Sequence, residues 1–166
     1  MRDAVGGAVN LVIIVVFMVI VSGYMAFNIS YMKAFKVKNK IISTFEEFDG
    51  NCDGQTTCNT VIQEAMRTVG YNVSSMDESD AESYSSGEST YMKRNKAKCQ
   101  LNGAYCYVDF YESSCMPGTK KRYHYYKIYT RVTMDIPIVN KIMEGFRFFQ
   151  VSGDTKRLLI SDPSCP

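Results

Sequence analysis

The stretch 4-AVGGAVNLVIIVVFMVIVSGYMAFNISYM-32 holds no Asp, Glu, Lys or Arg, and its reading decides the fold. A bilayer core takes about 20 apolar residues as helix. A secretory h-region takes about 7 to 15 and closes on a small-residue cleavage site. This run is longer than that, and its exit, Asn28-Ile29-Ser30-Tyr31, has no Ala-x-Ala-like pattern. The expectation is a retained transmembrane helix over 4–32, in contact with membrane lipid, behind a short N-terminal tail, 1–3.

The helical pattern continues past the first lysine. Ala34, Val37, Ile41, Phe45 and Phe48 recur in steps of three and four, with Phe35 and Ile42 beside them. Lys33, Lys36, Lys38 and Lys40 intersperse that stripe, the first two placed to snorkel to lipid head groups. No proline falls between residues 1 and 48, and Asp49-Gly50 is a stop signal. One continuous helix is expected, its extension over 33–50 standing outside the membrane and offering an apolar stripe to a head domain at 51–166. Two helices broken near Asn28 to Ser30 are the alternative.

Six cysteines, Cys52, Cys58, Cys99, Cys106, Cys115 and Cys165, all follow the apolar run. An even number beside a membrane segment points to disulfides in an oxidising space. Zinc is the weaker reading, since there is no C-x-x-C and His124 is the one histidine. Many pairings are open. The sequence-local pairs are Cys52 with Cys58 and Cys99 with Cys106, which leaves Cys115 for Cys165. Lysines 33 to 40 would draw that flank to the cytoplasm. The cysteines argue the reverse, and the expectation follows them: N-terminus cytoplasmic, head extracytoplasmic. A net charge of +2 gives no electrostatic support for nucleic-acid binding.

Within the head, "TTCNTVIQEAMRTVGY" (56–71) reads as a short helix. Thr57 or Asn59 is placed to cap it, Thr60 and Gln63 to form a capping pair, and Gly70 to end it. Val61, Ala65, Met66 and Val69 form its apolar face. Residues 72–90 are polar and acidic and read as an exposed, mobile loop, with a glycosylation pattern at 72–74. From Ala104 the period becomes two. "AYCYVDFYE" (104–112) and "RYHYYKIYTRVTMDI" (122–136) form a hairpin around Pro117-Gly118. A short helical segment starts at Pro137, and two more strands, "FRFFQVSG" and "TKRLLIS", join at Gly153-Asp154. The fold class is α+β: a long N-terminal helix, transmembrane then extracytoplasmic, with a small head of about four antiparallel strands.

Chemistry is sparse. No catalytic set, cofactor motif or metal cluster emerges: there is no G-x-S-x-G, phosphate-binding glycine loop or H-E-x-x-H. Asp49, Asn51 and Asp53 resemble a calcium-loop fragment without its later ligands, and read as a turn. A cysteine nucleophile with His124 as base is less economical than disulfides. The tyrosines of the first hairpin are either strand residues or a recognition surface.

The architecture resembles type IV pilin-like subunits, and within them the TadE-like minor pilins (pseudopilins) of the Tad pilus system. The residues carrying the resemblance are "GGAVNLVIIVVFMVIVSGYMAFNISYMKAFKVKNKI" (6–41) and "YTRVTMDIPIVNKIMEGFRFFQVSGDTKRL" (129–158). It implies a membrane-anchored, non-enzymatic protein that helps assemble a surface pilus or secretion apparatus, for adhesion. Its partners would be other pilin-like subunits or assembly-platform membrane proteins. Such precursors pair a cleavage-site glycine with a glutamate five residues into the mature chain. Gly6 and Gly7 offer the glycine; the fifth residue after them is Leu11 or Val12, and the first glutamate is Glu46. Cleavage after Gly6 or Gly7 stays open. Asn10 is the nearest polar group, and with Gly6 and Gly7 it makes a candidate helix-packing face. The alternative function is a single-pass cell-surface binding protein whose Tyr-rich head recognises a ligand.

Overall fold

Helix α1 runs from Arg2 to Glu47, 46 residues and about 69 Å at ~1.5 Å per residue. The computed structural model describes residues 2–52, 56–70, 75–85, 92–133 and 148–165. The segment from Pro137, the pattern at 72–74 and Asp53 lie outside them. α1 already includes the charged N-terminus from Arg2, where a tail was expected. It does not break at Asn28, whose side-chain amide donates to Tyr24 O (2.9 Å) and so turns onto the helix's own backbone. The stop falls where the sequence places it. Asp49 and Gly50 are left-handed (φ 49° and 75°), and the Gly50 N–H donates to Phe45 O (2.7 Å). A side chain at Gly50 would also run into the Tyr126 ring, so the turn needs glycine for two reasons.

Helix α2 (Thr56–Val69) and helix α3 (Glu78–Ser85) complete the helices among the described residues. Strands β1 (Met92–Arg94), β2 (Lys98–Gln100), β3 (Tyr105–Glu112), β4 (Lys121–Thr133), β5 (Phe148–Asp154) and β6 (Leu158–Ser161) form one antiparallel sheet. β1 and β2 both pair with β3, and β5 and β6 both pair with β4. The sheet is in effect four-stranded, each edge strand being broken in two. Gly153-Asp154 therefore makes no hairpin: the chain runs on along the same edge of β4. At each break the edge gains one residue, since Arg94 to Lys98 spans Phe110 to Tyr107, and Asp154 to Leu158 spans Lys127 to His124. Asn95 N donates to Asp109 O (2.9 Å) at one bulge. At the other, Thr155 N donates to Tyr126 O and Thr155 Oγ1 accepts from Tyr126 N (2.9 Å each).

The period-two pattern is buried on both faces, which alternation alone does not reveal. One face of β3 and β4, with Tyr105, Tyr107, Tyr126 and Ile128, packs against Val37, Ile41 and Phe45 of α1 and Ile62 and Met66 of α2. The other face, with Cys106, Val108, Phe110 and Tyr129, packs against Met76, Ala81 and Ala97. The exposed loop expected over 72–90 is thus corrected where it is described. Met76 and Ala81 are buried, Met76 N donates to Gly103 O (3.0 Å), and Asp80 pairs with Arg131 (2.9 Å). Two apolar residues in a polar stretch seal the second core. Asn59 is likewise no cap: it sits inside α2, where its Oδ1 accepts from Tyr105 Oη (2.8 Å). Tyr105, Tyr107, Tyr126 and Tyr129 are buried, so these four hairpin tyrosines serve the core.

Candidate functional site: the helical anchor and its seat

α1 changes character along its length. From Val9 to Ile20 every large apolar side chain is exposed, and none of the most apolar window is buried. By length and composition it is one helix long and apolar enough to cross a membrane. Gly6 and Gly7 lie in its first turns, and Asn10, three and four residues on, falls on the same face. A Cβ built on Gly7 would meet nothing within 4 Å, and Asn10 is exposed. Within one chain that face is open.

From Ala34 onward the helix is seated. Ala34, Val37, Ile41, Thr44 and Phe45 are fully buried, and Thr44 Oγ1 donates to Lys40 O (2.9 Å), which removes its polarity from the core. Phe45 is the centre of the seat, with ring centroids 6.0, 5.0 and 5.5 Å from Tyr105, Tyr107 and Tyr126. β5 comes so close that a Cβ on Gly153 would lie 2.9 Å from Ile42 Cδ1 and Lys38 Cδ. At the far end Glu46 accepts from Lys156 N (2.8 Å) and pairs with Lys156 Nζ (3.2 Å). Helix and head are therefore one packed unit.

The six candidate cysteines form three disulfides, Cys52–Cys58, Cys99–Cys106 and Cys115–Cys165. These are the sequence-local pairs and the pair they leave. The first ties the end of α1 to α2, the second β2 to β3, and the third the β3–β4 turn to the C-terminus. No thiol is free to act as a nucleophile beside His124.

A polar cluster at the far end of the sheet was not legible as a site. His124 Nδ1 lies 2.9 Å from Asp109 Oδ1, and Asn95 Nδ2 donates to Asp109 Oδ2 (2.8 Å). Arg122 Nη2 donates to Ser164 Oγ (2.6 Å), and Arg122 Nε stands 2.9 Å from Asp162 Oδ2. The signal was present: Arg122 and His124 occupy the inward phase of β4, in step with Tyr126 and Ile128. His124 Nε2 has no hydrogen-bond partner among the described residues, and the hydroxyl of Ser164 is engaged by Arg122 and Asp162. The cluster acts as a latch for the C-terminal residues. Among the described residues, no three His, Cys, Asp or Glu side chains are placed to hold a metal ion.

Two groups here have displaced acidities. Burial, then Asp109 and then Tyr107 push the Tyr126 phenol well above its ordinary value, so it stays neutral. The Ser164 hydroxyl and backbone N–H, with Arg122 and His124 beyond them, hold the Asp162 carboxyl below the usual carboxylate range. A lowered folded pKa contributes stability above the unfolded value of about 3.9, and that contribution is lost as pH falls through the folded value. The latch is thus expected to keep this contribution from pH 7 down to about 4 and lose it below. Proteolysis of the C-terminal residues against pH reads this directly. Asp162→Asn should lack that part of the acid dependence, and identical acid profiles for the two proteins would remove Asp162 from the account.

No family model, curated protein or solved structure matches the chain.

Proposed function

We propose that the protein is a single-pass, membrane-anchored, pilin-like (TadE-like) subunit that takes part in assembling a surface pilus or secretion apparatus, for adhesion. Its N-terminus is cytoplasmic and its head extracytoplasmic, the three disulfides favouring an oxidising space for the head. The observation that carries the reading is the division of one unbroken helix into an open apolar half and a seated half. A monomer has no use for an apolar rod rigidly joined to a folded head beyond anchoring. An assembly uses it to pass the packing of neighbouring anchors on to the position of the heads.

Gly6, Gly7 and Asn10 are the face on which a neighbour's helix packs. Small residues let backbones approach in lipid, and an interhelical hydrogen bond from Asn10 is worth about 1 kcal/mol there. Gly7→Leu and Asn10→Leu are expected to abolish or strongly reduce surface filaments while the head keeps its thermal unfolding profile. Filaments and adhesion at wild-type levels in both variants would refute the assembly role.

A further inference from the structure

α2 meets α1 along one flank and leaves a groove of about 550 Å³ there. Its apolar floor is Val37 of α1 with Val61, Ala65 and Val69 of α2, which recur every fourth residue and are only half-buried. Ile62 and Met66, one residue on, take the main core contacts, and Val69 packs partly against them. α2 thus carries a second apolar stripe of which Val61 and Ala65 stand outside that core cluster.

On the α1 side that groove is bordered by a cationic stripe. Lys33, Lys36 and Lys40 follow one another by three and four residues, so they form one exposed stripe on α1. None of the three makes an ion pair among the described residues, whereas Lys38, on the other flank, lies over the Phe35 ring (4.2 Å). Glu64 is the one acid on the groove. The lower end of α2 comes down to the start of the charged segment: Lys33 Nζ is 4.0 Å from a Cβ built on Gly70.

The anchor supplies the direction. The uncharged run from Ala4 to Met32 is about 43 Å long as helix, against a hydrocarbon core of about 30 Å. A helix that long accommodates chiefly by tilting, up to about 40°. Since α1 enters the head without a break, its tilt lowers one side of the head toward the lipid. The flank with a stripe of exposed cations beside an apolar groove is the one whose chemistry matches an anionic lipid surface.

We infer that the α1–α2 face is a membrane-contact surface: Lys33, Lys36 and Lys40 engage anionic head groups, and the Val61–Ala65–Val69 stripe dips into the interface. The inference rests on α1 spanning a bilayer and adds a second, peripheral contact to it.

The chain has no tryptophan, so one introduced tryptophan reports alone. Full-length protein carrying Val61→Trp, or Thr68→Trp on the same face, is placed in nanodiscs of phosphatidylcholine and phosphatidylglycerol with brominated acyl chains. Tyr84→Trp on α3, over the opposite face of the sheet, is the reference. Quenching at the groove is expected to be at least about twofold stronger than at the reference. It should fall toward the reference when Lys33, Lys36 and Lys40 are all changed to Ser, or when phosphatidylglycerol is left out. Equal quenching on both faces overturns the inference, as does groove quenching indifferent to the lysines and to lipid charge. Failure to enter the discs at all is a separate result: it refutes the anchor, and the contact face with it.

Discussion

Phe45→Ala is expected to cost the head about 3–5 kcal/mol while the protein remains in the membrane. The phenylalanine is fully buried, at the meeting point of α1 and three tyrosine rings. Its removal loses the transfer free energy of a large side chain and leaves a cavity. The stiff walls, two strands and a helix, cannot collapse to fill it. The ring also joins the anchor to the head, so the damage reaches the α1–sheet interface first. Chemical unfolding of the full-length protein in detergent measures the loss, and protease accessibility of 98–112 locates it. Phe45→Leu, which keeps most of the volume, should cost markedly less. A loss below about 1 kcal/mol for Phe45→Ala would contradict a helix seated through this residue.

The second large effect belongs to the C-terminus. Cys115→Ser with Cys165→Ser opens a bridge of sequence separation 50, which on the chain-entropy account is worth about 4 kcal/mol. The bridge at Cys52–Cys58 spans only 6 residues, and the same account gives it about 2 kcal/mol. The order of effects is therefore part of the expectation. Beyond the entropy, the double variant frees Asp162 and Ser164, and Arg122 loses both of its C-terminal partners. A buried cation left without its carboxylate adds to the loss. Unfolding midpoints of the two double-serine variants, compared with wild type, test both size and order. A larger loss at Cys52–Cys58 would show that the C-terminal latch holds without its disulfide.

Much of this architecture was legible because the signals were strong and local. Period-3.6 spacing from Ala34 to Phe45 named the side chains that are buried, and Asp49-Gly50 marked the stop. β3 and β4 were readable from their alternation. What was not readable depends on tertiary context. Met76 and Ala81 are two apolar residues in an acidic stretch, too few to signal a helix, yet the far face of the sheet requires them. The straight run of β5 into β6 was hidden because Gly153-Asp154 has turn chemistry. Its glycine answers instead to the close approach of Ile42 and Lys38. Asn59 has cap chemistry but is used for the buried Tyr105 hydroxyl. The candidate helix-packing face was legible as residue types only, since a single chain packs nothing against Gly7 or Asn10.

The interrupted edges have one more consequence. An exposed strand edge is a template on which another chain can add, and a protein held in a bilayer meets its copies at high local concentration with its head always facing the same way. β1 and β2 are 3 residues each, and β6 is 4. Together with the bulges at Asn95–Ala97 and Thr155–Arg157, they interrupt both borders of the sheet among the described residues, the longest edge piece being the seven residues of β5. Under the proposed assembly role, such interrupted edges would let heads crowd together without merging their sheets.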